Sequence, residues 1–505
     1  MATKKIPIKA HGRSLGDFPN LSAIEKSLIA SCRIGVPLLI SDGTRPEKST
    51  DVNTIRAGLI RFLLLGGDAE HPVHEIGVQI FGAWIEDTVY LQFCRCKVAL
   101  SMFNSTFVEI MHLVDCTIPS LVLINCQVPG INADRAVIKG SLHLRQGFKA
   151  TGEIRLLKVR IGSDLDCHNA SFNGNDSNVL NAAGANIGGS VFLDRGFKAV
   201  GTVNFSYARI GGAFSCRNAS LRDTTGTALD AYKAQIKGSV FFGQGCKIQG
   251  TVDFDGAKFG SLIDDPLAAP QLRLDGFTYT SLGGIASADA ETRITWLNRQ
   301  PSEHLGSDFR PQPWEQLINV LRDMGHEDGA DKVAIAKQDA LFKAGKIKGA
   351  AKIWQKLYGW LAGYGYRPIN TIIAMLFVLL FAGDVFLWAD GIGLMGPSSA
   401  IIQSNRDIAA ACGKGTKNRE TLWTRCDALP QTYTTFNPYW YSLDLILPLV
   451  DLQQDKDWSP IVSSGKGEII WSGIIIRTVM QFEILFGWMA SLLLVAVLGN
   501  LLKKD

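Results

Sequence analysis

Short apolar stretches separated by glycine turns recur at a fixed period in the first half of the chain. The words IKGSLHL, IGGSVFL and IKGSVFF begin at Ile138, Ile187 and Ile236, which are 49 residues apart, and GFKATGEI, GFKAVGTV and GCKIQGTV recur in the same register. An Ile-Gly pattern also returns at about half this period, so each unit predicts two coils of roughly 22 to 27 residues, the size of one turn of a β-solenoid. We therefore predict a β-solenoid, a parallel β-helix with pentapeptide-like coils, over residues 76–284.

Helical patterns precede and follow the predicted solenoid. Residues 1–75 are predicted to form an N-terminal helical cap, in which an amphipathic helix over 53–67 ends at Gly66 and covers the open end of the first coil. Residues 285–365 are predicted to form a basic helical linker. Within this linker the stretch 309–345 changes its helical register at two glycines, which predicts a helical hairpin.

Two stretches in the last third of the chain are long and apolar enough to cross a bilayer. They cover about residues 369–389 and 479–502, and the rest of the chain is too polar to contain another. This pattern predicts a transmembrane domain over 366–505 with an outer loop over 390–478.

The distribution of positive charge predicts how the two spans are oriented. Between Asp331 and Pro368 eight Lys or Arg residues stand against two acids, and Lys503 and Lys504 follow the second span. Because the cytosolic flanks of spans carry an excess of Lys and Arg, both chain ends are predicted to be cytoplasmic. The amino terminus lacks the apolar stretch of a secretory signal, which agrees with a cytosolic solenoid.

The cysteines fall into two groups, one in the predicted solenoid and its cap and one in the predicted outer loop. Eight of the ten precede residue 250 without CxxC pairs, and we predict that they are reduced thiols in the core. Cys412 and Cys426 lie in the outer loop, where an oxidising compartment favours a disulfide between them. Two free thiols are the alternative.

A broken apolar segment lies between the two spans. The stretch YSLDLILPLVDLQQ is too short and too polar to cross a bilayer, and Pro448 interrupts it. Its place between two spans resembles that of the pore loop in small tetrameric cation channels, so we predict a re-entrant segment over 439–455, which needs protein or a water-filled cavity to satisfy its backbone. Asp451 is then predicted to form a ring of carboxylates that attracts cations, with support from Asp444. The TVGYG filter is absent, so potassium selectivity is not implied.

Polar residues inside the spans agree with this interpretation. Glu483, Gly487 and Ser491 are four residues apart on one face of the second span, which predicts that this face contacts a partner helix or the pore rather than lipid. Asp384 lies at a comparable depth in the first span, and we assign it to the pore as well. The alternative is that the two acids sit at the outer interface, snorkelling or paired with Arg477.

Stacked coils also arrange equivalent side chains in ladders. The repeat predicts two ladders of cations whose members are two coils, or about 9 to 10 Å, apart: Lys149, Lys198 and Lys247 in the first, and Arg160, Arg209 and Lys258 in the second. Regularly spaced cations neutralise a phosphate backbone and release its counterions, so the ladders are candidate binding sites for a polyanion. The alternative is that duplicated coils merely copy solvated cations. Phe148 and Phe197, beside two ladder lysines, are candidates for stacking on bases, although a core position is favoured.

Candidate catalytic groupings are few in the sequence. GxSxG, HExxH, Walker and complete dinucleotide motifs do not appear in a suitable context. The ligand types in HPVHE, residues 71–75, are more typical of a loop that enters the first coil than of a metal site. We therefore predict that the chain is not an enzyme and that it has neither a cofactor nor a metal site. The net charge of +4 gives no global basic character that would indicate a nucleic-acid binder.

The chain as a whole resembles a bacterial protein family. The segments IRAGLIRFLLLGG, HPVHEIGVQIFGAWIEDTVYL, FRPQPWEQLINVLRDMGHEDGADKVAIAKQ, YGYRPINT and FNPYWYSLDLILPLVDLQQDKDW look like bacterial β-solenoid proteins with a two-span, channel-like carboxyl-terminal domain. Such proteins are sometimes labelled membrane-associated oxidoreductases, a label that no residue here supports. The architecture is also similar to the membrane effector of Hailong phage-defence systems. That resemblance implies a channel held inactive by single-stranded DNA oligomers, which a partner nucleotidyltransferase makes and the ladders would bind.

These patterns and the resemblance together predict a homotetrameric ion channel in the bacterial inner (plasma) membrane. Its solenoid is expected to gate the pore, and the channel is expected to depolarise its host as an antiviral defence effector. The expected partners are membrane lipid, further copies of the chain and a single-stranded DNA oligomer. The alternative is a membrane-tethered scaffold whose solenoid binds a protein partner and which has no conductance.

Overall fold

The computed structural model of the chain describes four stretches, residues 14–345, 349–412, 422–463 and 468–502. They belong to two compact units, Met1–Lys346 and Ile347–Asp505. Four of the cations that predict the orientation of the spans lie outside the described residues: Lys346, Lys348, Lys503 and Lys504.

The described residues of the amino-terminal cap form two α-helices and two short strands, preceded by a 3-10 turn at Leu15–Asp17: α1 (Ala23–Ile34), α2 (Ala57–Leu64), β1 (Leu38–Leu39) and β2 (Thr54–Arg56). A capping box starts α1, because the Ser22 hydroxyl accepts a hydrogen bond from Glu25 N while the Glu25 carboxylate accepts one from Ser22 N. The helix predicted over 53–67 is shorter than expected. Its first residues form β2, since pairing with the first coil satisfies their backbone groups.

The solenoid is built from short strands: β3 (Val78–Phe81), β4 (Trp84–Glu86), β5 (Leu100–Phe103), β6 (Thr106–Phe107), β7 (Met111–His112), β8 (Thr117–Ile118), β9 (Leu121–Ile124), β10 (Gln127–Val128), β11 (Ile131–Asn132), β12 (Val137–Ile138), β13 (Leu142–Arg145), β14 (Lys149–Ala150), β15 (Ile154–Arg155), β16 (Arg160–Ile161), β17 (Leu165–Asp166), β18 (Ser171–Asn181), β19 (Asn186–Ile187), β20 (Val191–Phe192), β21 (Lys198–Asn204), β22 (Arg209–Ile210), β23 (Phe214–Ser215), β24 (Ser220–Asp230), β25 (Gln235–Ile236), β26 (Val240–Phe242), β27 (Lys247–Asp253), β28 (Lys258–Asp264), β29 (Gln271–Arg273) and β30 (Thr278–Leu282).

Strands of successive coils pair in parallel and form a 17-stranded sheet and a 13-stranded sheet, here called sheet A and sheet B. In sheet A, Ile118, Ile138, Ile161 and Ile187 stack directly on one another. Each of these side chains is at most 2% exposed, so the repeat builds a continuous apolar core. The solenoid has about nine turns, which confirms the fold that the 49-residue repeat predicts.

Glycine directly follows the stacked isoleucine in the coils of Ile161, Ile187 and Ile210, where neighbouring backbones approach closely. A Cβ on Gly162, Gly188 or Gly211 would overlap a carbonyl oxygen of the preceding coil. Glycine is therefore a steric requirement of stacking in these three coils, whereas Lys139 and Lys237 follow the stacked isoleucine in the coils of Ile138 and Ile236.

Helices close the other end of the solenoid: α3 (Ala290–Leu297), α4 (Ser302–Leu305), α5 (Gln312–Asp323) and α6 (Glu327–Lys343). As expected for a helical hairpin, α5 and α6 pack together and are joined at Gly325, where φ is 80°. The Nε2 atoms of Gln312 and Gln316 donate to the carbonyl oxygens of Phe277 and Tyr279 at 3.0 and 2.7 Å. These side chains cover the edge of the last coil, which would otherwise offer free carbonyl groups.

A buried ion pair fixes α3 to the end of β28. The Arg293 guanidinium donates two hydrogen bonds to the Asp264 carboxylate at 2.9 and 2.6 Å, and both side chains are excluded from solvent. This bidentate geometry restricts the orientation of the helix as well as its position.

The second unit contains the following elements: α7 (Ala350–Ala362), α8 (Pro368–Gly391), β31 (Met395–Pro397), α9 (Ala400–Ser404), α10 (Arg406–Cys412), α11 (Pro438–Ile446), α12 (Gln454–Asp457), β32 (Trp458–Pro460) and α13 (Trp471–Leu502). Two helices, α8 and α13, are long and apolar enough to cross a membrane. The first agrees with the predicted span. The second begins at Trp471 rather than 479, because the apolar run 474–476 continues the helix beyond Arg477.

The connection between α8 and α13 is folded where the structure describes it. β31 and β32 pair antiparallel, and Met395, Phe436, Tyr441 and Trp458 share a buried core. Cys412 and Cys426 lie within disulfide-bonding distance, with sulfur atoms 2.06 Å apart, as predicted. The other eight cysteines are buried thiols, which also agrees with the prediction.

Candidate functional site

Helix α11 begins with a side-chain cap and contacts the first apolar helix. The Asn437 side chain accepts hydrogen bonds from Tyr439 N and Trp440 N at 3.1 and 3.2 Å, which fixes the start of the helix. Tyr439 Oη then donates to the Asp384 carboxylate of α8 at 2.7 Å. The acid predicted to lie in the first span is thus tied to the segment between the spans.

The same helix contacts the second apolar helix one turn later. The Ser442 hydroxyl lies 2.9 Å from the carbonyl oxygen of Leu379 and contacts the Glu483 carboxyl group of α13. Glu483 is fully buried, and within the described residues its second oxygen has no hydrogen-bond partner. No ion pair in the described part of the chain joins Arg477 to either Asp384 or Glu483.

Two glycines allow α11 to lie directly against both long helices. A Cβ on Gly383 would overlap the Tyr439 ring, and a Cβ on Gly487 would overlap the carbonyl oxygen of Ile446. Gly487 lies 16 residues after Trp471, about 24 Å along α13 at 1.5 Å per residue. The carboxyl end of α11 therefore meets the middle of α13, and the predicted Glu483–Gly487 face contacts α11.

Asp444 organises the chain that follows α11. Its carboxylate is 6% exposed and accepts hydrogen bonds from Leu452 N at 2.7 Å and from Asp455 N at 3.0 Å. These two bonds satisfy backbone donors that the break at Pro448 removes from regular structure. Asp444 thus fixes the backbone that follows Asp451, and its predicted support of a carboxylate ring stays a prediction.

Asp451 is exposed, but it is not a free carboxylate. Lys456 donates to one of its oxygens, and Gln453 N donates to the other at 3.0 Å. The hydrogen bond from Lys456 holds the pKa of Asp451 below its ordinary value, so the group is charged at neutral pH. Lys456 offsets part of this charge within the same chain, which the sequence pattern did not reveal.

Three carboxylates converge at this turn. Oxygen atoms of Asp444, Asp451 and Asp455 lie within 4.8 Å of one another, and such hard oxygen ligands suit a cation. Burial and the nearby Asp444 raise the pKa of Asp455. Asp457 lies apart from this cluster and accepts hydrogen bonds from the Thr434 backbone and hydroxyl at 2.7 and 2.8 Å.

The cation ladders form as predicted, but on different sheets. Lys149, Ser171, Lys198, Ser220 and Lys247 stack in register along sheet B. The second column runs along sheet A and contains these residues: Arg160, Asn186, Arg209, Gln235 and Lys258. Neither column contains an acid. A ligand that contacted both ladders would have to pass around the coil.

The ladder cations also differ from other arginines of the solenoid. Arg135, Arg145 and Arg155 each pair with an aspartate of a neighbouring coil at 2.6 to 2.9 Å. All six ladder cations are exposed. Within the described residues no ion pair joins any of them to an acid. Their charge is therefore available to an external anion.

Phe148 and Phe197 are fully buried, so the core position favoured by the sequence is the observed one. They pack edge to face on either side of Phe172, with ring centroids 5.9 and 5.1 Å away. Stacking of bases on these rings is thereby excluded.

A polar network on sheet A was not anticipated from the sequence. His168 Nδ1 contacts Asp166, its Nε2 lies 2.8 Å from Asp194, and His143 Nδ1 lies 3.1 Å from Asp166. Ser215 Oγ donates to Asp194 at 2.7 Å. His168 therefore lies between the carboxylates of Asp166 and Asp194. The available signal was the register of polar residues in successive coils, such as His143 opposite Asp166.

We expect this network to make the stability of the solenoid depend on pH. Burial alone would raise the pKa of Asp166, but hydrogen bonds from His143 and His168 outweigh it and hold the pKa well below its ordinary value. The resulting stabilisation is present above about pH 4 and is lost as the pH falls further. Asp166→Asn should lower the free energy of unfolding by about 2 to 3 kcal/mol at pH 7 and flatten its decline in acid.

Urea unfolding of the full-length protein in detergent, at pH 7 and between pH 3 and 5, measures this effect. The exposed Asp51 provides a matched control as Asp51→Asn. An Asp166→Asn profile that follows the parent at every pH would contradict the assigned role of the network.

Comparison of the chain with protein-family models, curated proteins and solved structures finds no match. The functional argument therefore depends on the geometry of its own residues.

Proposed function

We propose that this chain is one subunit of an oligomeric ion channel that its solenoid gates. The observation that carries the proposal is the position of α11, which contacts α8 and α13 and ends beside the middle of α13. An acidic cluster follows directly. Two candidate membrane spans that both contact a shorter helix, with a carboxylate-bearing turn after it, support a cation pore.

We further propose that residues 439–455 form a re-entrant segment. A helix that descends beside two spans and then breaks is stable in a bilayer only if protein or water satisfies its freed polar groups. The hydrogen bonds from Leu452 N and Asp455 N to Asp444 supply part of that satisfaction. The contact of Ile446 with Gly487 supports a deep position for the turn.

The exposed surface of the turn supports an assembly of several subunits. Leu449 is 90% exposed and Val450 is 45% exposed, beside the exposed Asp451. Apolar side chains at the tip of a pore loop need neighbouring subunits to cover them, whereas a carboxylate suits a shared aqueous axis. A homotetramer is the assembly that the pore-loop arrangement favours.

Residue chemistry also supports a location and an orientation. The Cys412–Cys426 pair belongs to an oxidising compartment, and the buried thiols of the solenoid belong to a reducing one. We therefore propose the bacterial inner membrane, with the solenoid and the carboxyl terminus cytoplasmic and the loop between α8 and α13 outside.

The unpaired cation ladders support a polyanion as the gating ligand. Together with the resemblance to phage-defence effectors, they favour a single-stranded DNA oligomer that a partner nucleotidyltransferase produces. The channel would then depolarise the host cell when that ligand is lost.

Current through purified protein in planar bilayers tests the proposed function. A membrane-tethered scaffold, the second candidate, carries no current.

A further inference from the structure

Helix α7 has an apolar face that no part of the described chain covers. Exposed fractions are 75% for Ile353, 62% for Trp354, 40% for Leu357 and 72% for Trp360. At 3.6 residues per turn these side chains lie on one side of the helix, and Gln355 lies on the opposite side. Such a face is unstable in water and needs an apolar partner.

The position of α7 in the chain indicates the partner. The helix ends at Ala362 and α8, a candidate membrane span, begins six residues later at Pro368. Thr371 Oγ1 of α8 donates to the carbonyl oxygen of Leu361 at 3.0 Å, which holds the end of α7 against the start of the span. The end of α7 therefore lies where α8 enters the bilayer.

The charge around α7 is of one sign. No acid occurs between Asp339 and Asp384, whereas this stretch contains six Lys or Arg residues. Lys352 and Lys356 lie on α7 beside the apolar face, and both are exposed. Aromatic rings with flanking lysines are typical of helices that lie in the headgroup layer of an anionic membrane.

We propose that α7 is an interfacial helix that lies in the cytoplasmic leaflet and binds anionic phospholipid headgroups through Lys352 and Lys356. This inference rests on membrane insertion of α8, which is part of the proposed function, and not on conductance. A protein without channel activity could still bind lipid in this way, so the two proposals fail separately.

The test uses full-length protein reconstituted in phosphatidylcholine vesicles, with or without about 30% phosphatidylglycerol. A fluorophore is attached at Trp360→Cys or, as the control on the opposite side, at Gln355→Cys, and lipids with doxyl-labelled chains quench it. The native free thiols are buried, and unmodified protein measures their background labelling. Quenching at position 360 should be at least twice that at 355 in anionic vesicles.

Lys352→Gln combined with Lys356→Gln should lower the equilibrium constant for docking of α7 on the membrane surface roughly thirtyfold in anionic vesicles. Each cation near such a surface contributes about a factor of five to this constant. In phosphatidylcholine alone the substitutions should have little effect. Equal quenching at 355 and 360 would overturn the proposal. Quenching at 360 that is the same with and without phosphatidylglycerol would also overturn it. A label at 360 that is shielded from water but not reached by doxyl lipid would mean that protein covers the face, which also overturns it.

Discussion

Asp451→Lys is expected to reduce cation current through the assembled protein by more than tenfold. A unit charge about 8 Å away contributes about 2 kcal/mol at an effective dielectric constant of about 20, so reversal changes the energy of a cation by about 4 kcal/mol for each subunit. The new lysine would also lie beside Lys456, which adds repulsion where the parent has an ion pair. Asp451→Asn should reduce the current less, because it removes attraction without adding repulsion.

Removal of Lys456 should have the opposite effect on cation current from Asp451→Lys. Lys456→Gln removes the cation that offsets Asp451 and should increase cation current at low salt. Asp427, an exposed acid outside the cluster, serves as the control in the form Asp427→Lys. Asp455 and Asp457 are unsuitable as controls, since one belongs to the acidic cluster and the other binds Thr434.

Currents are measured on variants that insert and elute from gel filtration in detergent as the parent does. Unchanged cation current in Asp451→Lys protein of normal assembly would refute the pore-loop assignment. The apolar turn would then rest on the outer leaflet.

Replacing Lys149, Lys198 and Lys247 with Glu is expected to weaken binding of a single-stranded oligonucleotide by about fiftyfold or more at 0.15 M salt. Three cations that release counterions contribute a slope of about −2 to log K against log salt, and the substitution removes that contribution. Oligonucleotide affinity of the parent should therefore fall more steeply with salt than that of the variant. Fluorescence anisotropy over a range of salt concentrations measures both quantities.

A variant with the same change in charge separates the ladder from general attraction. Lys139, Lys158 and Lys237 are exposed cations of the solenoid outside the ladders, and their replacement with Glu should cost much less affinity. The corresponding change at Arg160, Arg209 and Lys258 tests the ladder on sheet A. If the parent protein binds no oligonucleotide even at low salt, the ladders are not a polyanion site. The solenoid would then be a binding surface for a protein partner.

The repetitive part of the fold was predictable because its determinants are local. In the 49-residue units a core isoleucine is followed one or two positions later by a glycine that packs against the neighbouring backbone, so a short sequence motif encodes the packing. The cysteine pair was predictable because both residues lie in the loop between the two apolar stretches, for which the charge pattern predicts an oxidising compartment. The strand at 54–56 was not, because its pairing partner is a strand around residue 85, which a helical pattern does not reveal.

The sequence singles out residues 439–455 as an interrupted apolar segment, but it does not reveal their contacts. Tyr439 with Asp384 and Ser442 with Glu483 join residues 55 and 41 positions apart, and no periodicity encodes such pairs. The ladders illustrate the same limit. Their spacing follows from the repeat, but their separation onto sheet A and sheet B depends on where each coil turns.

Current recorded from the purified full-length protein in planar lipid bilayers tests the central claim most directly. We expect discrete, cation-selective steps that a single-stranded oligonucleotide added to the solenoid side changes in frequency. Bilayers that contain inserted, assembled protein and still show no steps, with or without oligonucleotide, would contradict the channel.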